Sequence, residues 1–259
     1  MDDSEPFAVA QGDKVVCSSV ANLKAIVFDY YETLAELSPA IRERTFDELA
    51  RRVGLDLPPG EAYRHWRELT TKDWVLRLGG QQRPPLDGPT PPFRTFWDIW
   101  LQRSRELFQH WGVDASAEIG AAAYRDAHVG AAVYADVPPA LESLGGRYRL
   151  AVLSDADRDF LETSIQRNGL VFETIVASGE VRAYKPHVSL FREVCARLGV
   201  EPSTAVFVGD SPWADVAGAR HAGLRAVWMN RHGASWPEDI ERPEAEFGSL
   251  EELVRLLDA

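Results

Sequence analysis

Apolar and polar positions along the chain follow two different grammars. Leu23, Ala25, Ile26, Val27 and Phe28 form a short, nearly continuous apolar run rich in β-branched residues, which suits a strand buried on both faces of a sheet. The run stops at Asp29, and apolar character returns at Leu34. From about Ala40 the spacing turns helical: Ile41, Phe46, Leu49 and Val53 recur between charged residues, with Gly54 beyond them as a C-cap. Pro58, Pro59 and Gly60 break the pattern. A second helix is predicted over Glu61–Leu78, a Gly- and Pro-rich loop over Gly79–Pro92, and further helices over Phe93–Trp111 and Ala117–Val133.

After Tyr134 the chain alternates strand and helix. A short helix opens at Val137–Pro138–Pro139, where Pro suits a helix start, and ends at Gly145–Gly146. Buried strands are predicted at Tyr148–Ser154, Phe172–Ser178, Thr204–Val208 and Leu224–Met229. Helices lie between them, to about Asn168, over His187–Leu198 and over Asp215–His221, and an amphipathic helix closes the chain at Leu250–Leu257. This alternation predicts an α/β fold, an open, doubly wound and mainly parallel sheet. The helical block between the first strand and the rest reads as an insertion. The expected organisation is a leader over 1–21, a core over 22–37 and 135–259, and an inserted helical cap over 38–134. An insertion at that edge overhangs the crevice at the carboxyl ends of the strands.

Composition narrows the function classes. A formal net charge of −12 argues against nucleic acid or an anionic membrane as partner. No apolar run approaches the roughly 18 residues that span a bilayer, and the acidic N-terminus reads as no export signal, so the expected location is cytoplasmic. Cys17 and Cys195 lie far apart without metal-ligand spacing; Cys195 falls on a predicted helix and is expected in the core. A monomer or a homodimer is compatible with this composition, the aromatic insert being able to hide a dimer surface.

Chemistry concentrates at the strand ends. Asp29, Ser154, the Ala183–Tyr184–Lys185–Pro186 segment, and Gly209–Asp210–Ser211 with Asp215 would share one edge of a parallel sheet. Together they supply a carboxylate nucleophile, a hydroxyl, a lysine and further carboxylates, a set for covalent catalysis on an anionic substrate with a divalent metal. The order and spacing of these motifs, Asp29–Tyr30–Tyr31–Glu32–Thr33–Leu34, Leu153–Ser154–Asp155, Tyr184–Lys185–Pro186 and Val208–Gly209–Asp210–Ser211–Pro212–Trp213–Ala214–Asp215, resemble the haloacid dehalogenase-like superfamily of hydrolases across nearly all of residues 23 to 230. The resemblance implies a Rossmann-like core and Asp29 as nucleophile, with Ser154 donating to the transferring group and Lys185 offsetting charge. It implies Mg²⁺ held by Asp29, Asp210 and the Tyr31 backbone carbonyl, with Asp215 in support directly or through water. Thr33, Tyr31, Asp155 and Trp213 join Ser154 and Lys185 as expected substrate-binding positions, Trp213 at the entrance. At the following helix, Asp155 or Asp157 is expected to act as a cap only.

One departure stands out. Phosphatases of this superfamily usually place a second Asp two residues after the nucleophile, to protonate the leaving group and activate water. Here that position is Tyr31, whose ordinary pKa is about 10. An Asp-x-Tyr motif is similar to the dehalogenase branch, in which halide leaves carbon without a proton and no metal is used; Gly209–Asp210 is instead phosphatase-like. The expected activity is Mg²⁺-dependent hydrolysis of a small phosphorylated metabolite, suited to a good leaving group or a bulky apolar part. A metal-independent 2-haloacid dehalogenase and a catalytically impaired binding protein are the alternatives. Five of the eight tryptophans (Trp66, Trp74, Trp97, Trp100 and Trp111) fall in the insert at helical spacing, mostly as bundle core, and His65 and Arg94 are its candidate specificity residues.

Overall fold

The computed structural model describes residues 22–77, 83–90 and 92–258, without the side chains of 70–77. The leader, Cys17 and the Trp74 side chain lie outside the described residues.

Six parallel strands make one sheet in the order β3-β2-β1-β4-β5-β6. They are β1 (Ala25–Phe28), β2 (Arg149–Ser154), β3 (Thr174–Ala177), β4 (Ala205–Gly209), β5 (Arg225–Met229) and β6 (Ala245–Phe247). All four residues of β1 are fully buried, and the pleat divides them. Ile26 and Phe28 join one core with Val152, Val208 and Met229, while Ala25 and Val27 join the other with Leu153, Phe207 and Trp228. Helices therefore cover both faces. On the first lie α5 (Val137–Gly145), α6 (Arg158–Arg167) and α10 (Leu250–Asp258); on the second lies α8 (Val188–Leu198), carrying Phe191, Val194 and the buried Cys195. Each large apolar side chain buried this way contributes about 1.5–3 kcal/mol relative to exposure. Burial also pushes the Cys195 thiol up to about 11, which fits an inert core residue. The short helices α7 (Ser178–Val181) and α9 (Gly218–His221) complete the layers.

Between β1 and α5 the chain forms α1 (Pro39–Arg52), α2 (Glu61–Arg77), α3 (Phe96–Trp111) and α4 (Ala117–Val129). These pack around a separate apolar centre of Phe46, Leu49, Trp66, Ile99, Trp100, Leu107 and Phe108. The helix expected from Phe93 begins at Phe96, because the Thr95 side chain caps it by accepting from the Asp98 amide. The helix expected to reach Val133 stops at Val129, and Val133 instead bridges to Ala35 beside β1. β6 is too short for pattern alone to predict: Ala245, Glu246 and Phe247 alternate, but over three residues only. Among the described residues no helix is long and apolar enough to cross a membrane.

The order of strands reverses direction about β1 and β4. Asp29 follows β1 and donates its amide to the Val208 carbonyl at 2.9 Å, and Asp210 follows β4. That switch point is where an open α/β sheet presents its crevice.

Candidate active site

Four charged side chains meet at the switch point. The Lys185 ammonium lies 2.6 Å from Asp29 Oδ1 and 2.5 Å from Asp215 Oδ1. Asp29, Asp210 and Asp215 each offer an oxygen, and these atoms lie within 4.8 Å of one another. Asp29, Lys185 and Asp215 are all at most 5% exposed, so the charges interact at low dielectric. Burial pushes the Asp210 carboxyl well above the ordinary range, and repulsion from Asp215 and Asp29 adds to it against the pull of Lys185. Burial likewise raises Asp215 to about 6, against the opposing pull of Lys185. Burial alone would discharge Lys185, but Asp215, Asp29 and Asp155 outweigh it and hold the ammonium charged.

Local chain geometry explains the convergence. Gly209 ends β4 without a side chain, and a Cβ there would come within 2.5–2.6 Å of the Asp215 side chain. The Asp215 carboxylate folds back over that gap, because the turn Pro212–Ala217 is wide and Val216 N–H reaches the Ser211 carbonyl. Its Oδ2 then accepts from the Ser211 amide at 2.9 Å. Both Asp215 oxygens are thus engaged within the protein. Asp29 Oδ1 accepts from Lys185, while its Oδ2 accepts no hydrogen bond among the described residues. Thr33, fully buried, reaches Asp210 Oδ1 at 3.5 Å, and Ser154 is buried at the end of β2.

Several expected positions take other roles. Neither Asp155 nor Asp157 caps the helix that follows β2. Asp155 Oδ1 accepts from the Lys185 amide at 3.0 Å and so positions the lysine segment. Asp157 has no capping bond to its own helix, α6. Its two oxygens instead accept from the Phe96 and Trp97 amides at 2.9 and 2.8 Å, capping α3 of the insert. Tyr31 turns its ring onto His128 of α4, with centroids 4.9 Å apart. Among the described residues its buried hydroxyl meets no partner in hydrogen-bonding geometry, and burial raises its pKa further. Glu32, at φ +65°, is held by the Leu37 amide and by His232 Nε2 at 2.9 Å, away from Asp29's partners. Trp213 is outside the charged cluster: it donates to the Pro84 carbonyl at 3.2 Å under the Arg83 guanidinium. His65 accepts from Trp111 inside the bundle, and the Arg94 backbone bonds the Tyr184 hydroxyl.

A model of haloacid dehalogenase-like hydrolases matches residues 23–223, the span that carries all four clustered groups. The chain belongs to that family. Among relatives of this hydrolase, the phosphoserine phosphatase of Thermus thermophilus is 41% identical over 107 residues, covering 40% of this chain and 42% of that protein. Human N-acylneuraminate-9-phosphatase is 35% identical over 48% of this chain and 51% of its own length, so the chain matches about half the length of these phosphatases. The (S)-2-haloacid dehalogenase of Pseudomonas sp. strain YL is 29% identical over 242 residues, 91% of this chain and 95% of that one. In fold, the hydrolase superposes on a putative HAD-hydrolase from Bacillus subtilis with a TM-score of 0.74 at 19% identity, covering 92% of this chain and all of that chain. It superposes on the L-2-haloacid dehalogenase of Xanthobacter autotrophicus with a TM-score of 0.71 at 21% identity, covering 92% of this chain and 99% of that one.

Proposed function

We propose that this hydrolase is a Mg²⁺-dependent phosphomonoesterase that works through an aspartyl-phosphate on Asp29. The observation that carries the reading is the charge count at the switch point: three convergent carboxylates share one ammonium. Fully ionised, the cluster carries a net charge of about −2, which buried groups relieve by taking up protons, the direction in which Asp210 and Asp215 are pushed, or by holding a cation, which keeps all three ionised as nucleophile and ligands. The donors are all hard oxygens, the set that suits Mg²⁺. Asp29, Asp210 and the Tyr31 backbone carbonyl would hold the ion. Asp215, with both oxygens already accepting hydrogen bonds, would support it from behind. When bound, the ion would neutralise phosphoryl oxygens and the acidic cluster together.

The remaining steps belong to the chain's own residues. Asp29 Oδ2, free of hydrogen bonds among the described residues, attacks phosphorus while Lys185 holds Oδ1 and orients the carboxylate. Ser154 donates to a phosphoryl oxygen, and Lys185 offsets charge as the leaving oxygen departs. Tyr31 is a poor proton donor, because burial raises the pKa of its phenol and makes it a weaker acid. The substrates that fit are therefore those whose leaving group departs unprotonated, such as acyl and aryl phosphates. Release of phosphate from para-nitrophenyl phosphate and acetyl phosphate, with and without Mg²⁺ and beside Asp29→Asn, tests this. Metal-dependent release lost in the variant supports it; release that persists in Asp29→Asn overturns it.

A second reading, hydrolytic dehalogenation of a 2-haloacid, is favoured by Tyr31 and by the near end-to-end similarity to the Pseudomonas dehalogenase. On that reading the Asp29 carboxylate displaces halide from carbon, and EDTA leaves activity intact.

A further inference from the structure

Asp29 opens a tight turn that the rest of the core holds in place. Leu34 and Ala35 both donate their amides to the Tyr30 carbonyl, at 2.8 and 2.9 Å, and the Glu32 amide donates to the Ala35 carbonyl at 2.7 Å. Thr33, fully buried in this turn, reaches Asp210 Oδ1 with its hydroxyl at 3.5 Å. Its carbonyl accepts from Arg231 Nε at 2.8 Å. One residue thus joins the Asp210 carboxylate to a guanidinium from the loop after β5.

Arg231 is itself fixed. Its Nη1 donates to both Asp136 oxygens at 3.1 and 3.2 Å, and the guanidinium carbon lies 4.0 Å from the centre of the Tyr134 ring. The side chains of that ion pair are 6% and 11% exposed, so solvent screens them little. Asp136 Oδ2 also accepts the Leu250 amide at the start of α10. Asn230, next to Arg231, donates its amide to the Phe247 carbonyl of β6 at 2.7 Å. The arginine therefore stands on a frame of sheet and helix. His232 holds the same turn through Glu32, but its side chain is 54% exposed and such a pair is worth little.

These contacts sit where the insert leaves and re-enters the core. Ala35 bridges Val133, the Glu36 amide donates to the Ala132 carbonyl at 2.8 Å, and the Tyr134 amide donates to the Leu34 carbonyl at 3.0 Å. Thr33 precedes the outgoing crossing, Tyr134 and Asp136 belong to the returning one, and Arg231 touches all three.

We propose that Arg231 is a positioning residue. It locks the Asp29–Thr33 turn to both crossings of the insert, and so sets where Asp29 and the Tyr31 carbonyl stand relative to Asp210. Among the described residues no hydrogen bond joins Arg231 to Asp29 or Asp210, so it acts through Thr33. A planar guanidinium suits this work, because its donors diverge at fixed angles and bridge a carbonyl and a carboxylate at once. The inference rests on Asp29 as the reacting group.

Two variants of the full chain test it, first without metal or turnover. Hydrogen exchange at the Leu34 and Ala35 amides should accelerate roughly tenfold in Arg231→Met relative to Val27 and Val208 in the strands, the scale of one lost charge-assisted bond. With acetyl phosphate and Mg²⁺, kcat should fall roughly tenfold to a hundredfold while KM holds, as a small misplacement of the reacting groups produces. Arg231→Lys keeps a positive charge beside Asp136 and should show the same pattern, since one ammonium does not span both partners; it decides the question if Arg231→Met does not fold. Exchange at Leu34 and Ala35 that keeps step with the strands overturns the proposal, as does a loss confined to KM or full kcat in Arg231→Lys. Wild-type protein that releases no phosphate would overturn the phosphatase reading instead, and exchange would still decide the role of Arg231. Phosphate release with exchange unaltered in both variants would do the reverse.

Discussion

Asp157 of the core caps a helix of the insert: its Oδ1 accepts from the Phe96 amide at 2.9 Å, and its Oδ2 takes the neighbouring Trp97 amide at 2.8 Å. Three residues upstream on the same segment is Ser154, and the Tyr184 hydroxyl, next to Lys185, bonds the Arg94 backbone nearby. The strand-end loops that carry Ser154 and Lys185 are thus tied to the start of α3. Replacing Asp157 by Ala frees two helix-terminal amides at a cost of about 1–2 kcal/mol, which lowers Tm by roughly 2–8 °C. Hydrogen exchange at Phe96 and Trp97 should accelerate in Asp157→Ala, less so in Asp157→Asn. Unchanged protection in the Ala variant would contradict the capping role.

Removing the ammonium from the charged cluster should be severe. Lys185→Met leaves buried carboxylates uncompensated, a loss on the order of 3–5 kcal/mol, or about 10 °C in Tm when measured in EDTA. Mg²⁺ should raise Tm more in this variant than in the wild type, because the ion then replaces the missing charge. A melting temperature unaffected by the substitution would mean that the three carboxylates are not ionised together.

Tyr31→Phe separates the phenol from its hydroxyl. That hydroxyl is buried and has no partner among the described residues, so stability should hold or rise by up to about 1 kcal/mol. Acetyl phosphate turnover should escape the roughly 10²–10⁴-fold loss that removing a general acid brings. Loss on that scale would make Tyr31 a proton donor after all.

His128 gives the insert a pH dependence. Burial pushes its imidazole down to about 4, helped by Arg42 and opposed by the Tyr124 carbonyl at 2.7 Å. The folded state therefore favours neutral imidazole. Its stabilisation is complete above the unfolded pKa near 6.5 and is lost as pH falls from there toward 4. Between pH 7 and pH 4.5 the wild type should lose more Tm than His128→Phe; equal losses would place the imidazole in contact with solvent.

Much of the site was legible because the sheet makes sequence order into spatial order. Asp29, Ser154 and Asp210 lie at the ends of apolar, β-branched runs, and parallel strands bring such ends to one edge, whereas Lys185 comes eight residues after β3, beyond the short helix α7. What the sequence did not disclose depends on contacts across the insert. His128 and Asp157 are ordinary polar residues until α3 and α4 close over them, and the Asp157 contact spans 61 residues of sequence. Trp213 sits beside the right motif, and its bond to the Pro84 carbonyl, 129 residues away in sequence, is one that no local pattern announces. Local pattern does not encode such pairings.

The most direct test measures phosphate release from acetyl phosphate and chloride release from 2-chloropropionate in parallel, each with Mg²⁺ and with EDTA. Phosphate release that needs Mg²⁺, with no chloride under either condition, is the result predicted from the Asp29, Asp210 and Asp215 cluster. Chloride release that persists in EDTA, without phosphate release, would contradict it and assign the Asp29 carboxylate to carbon rather than phosphorus.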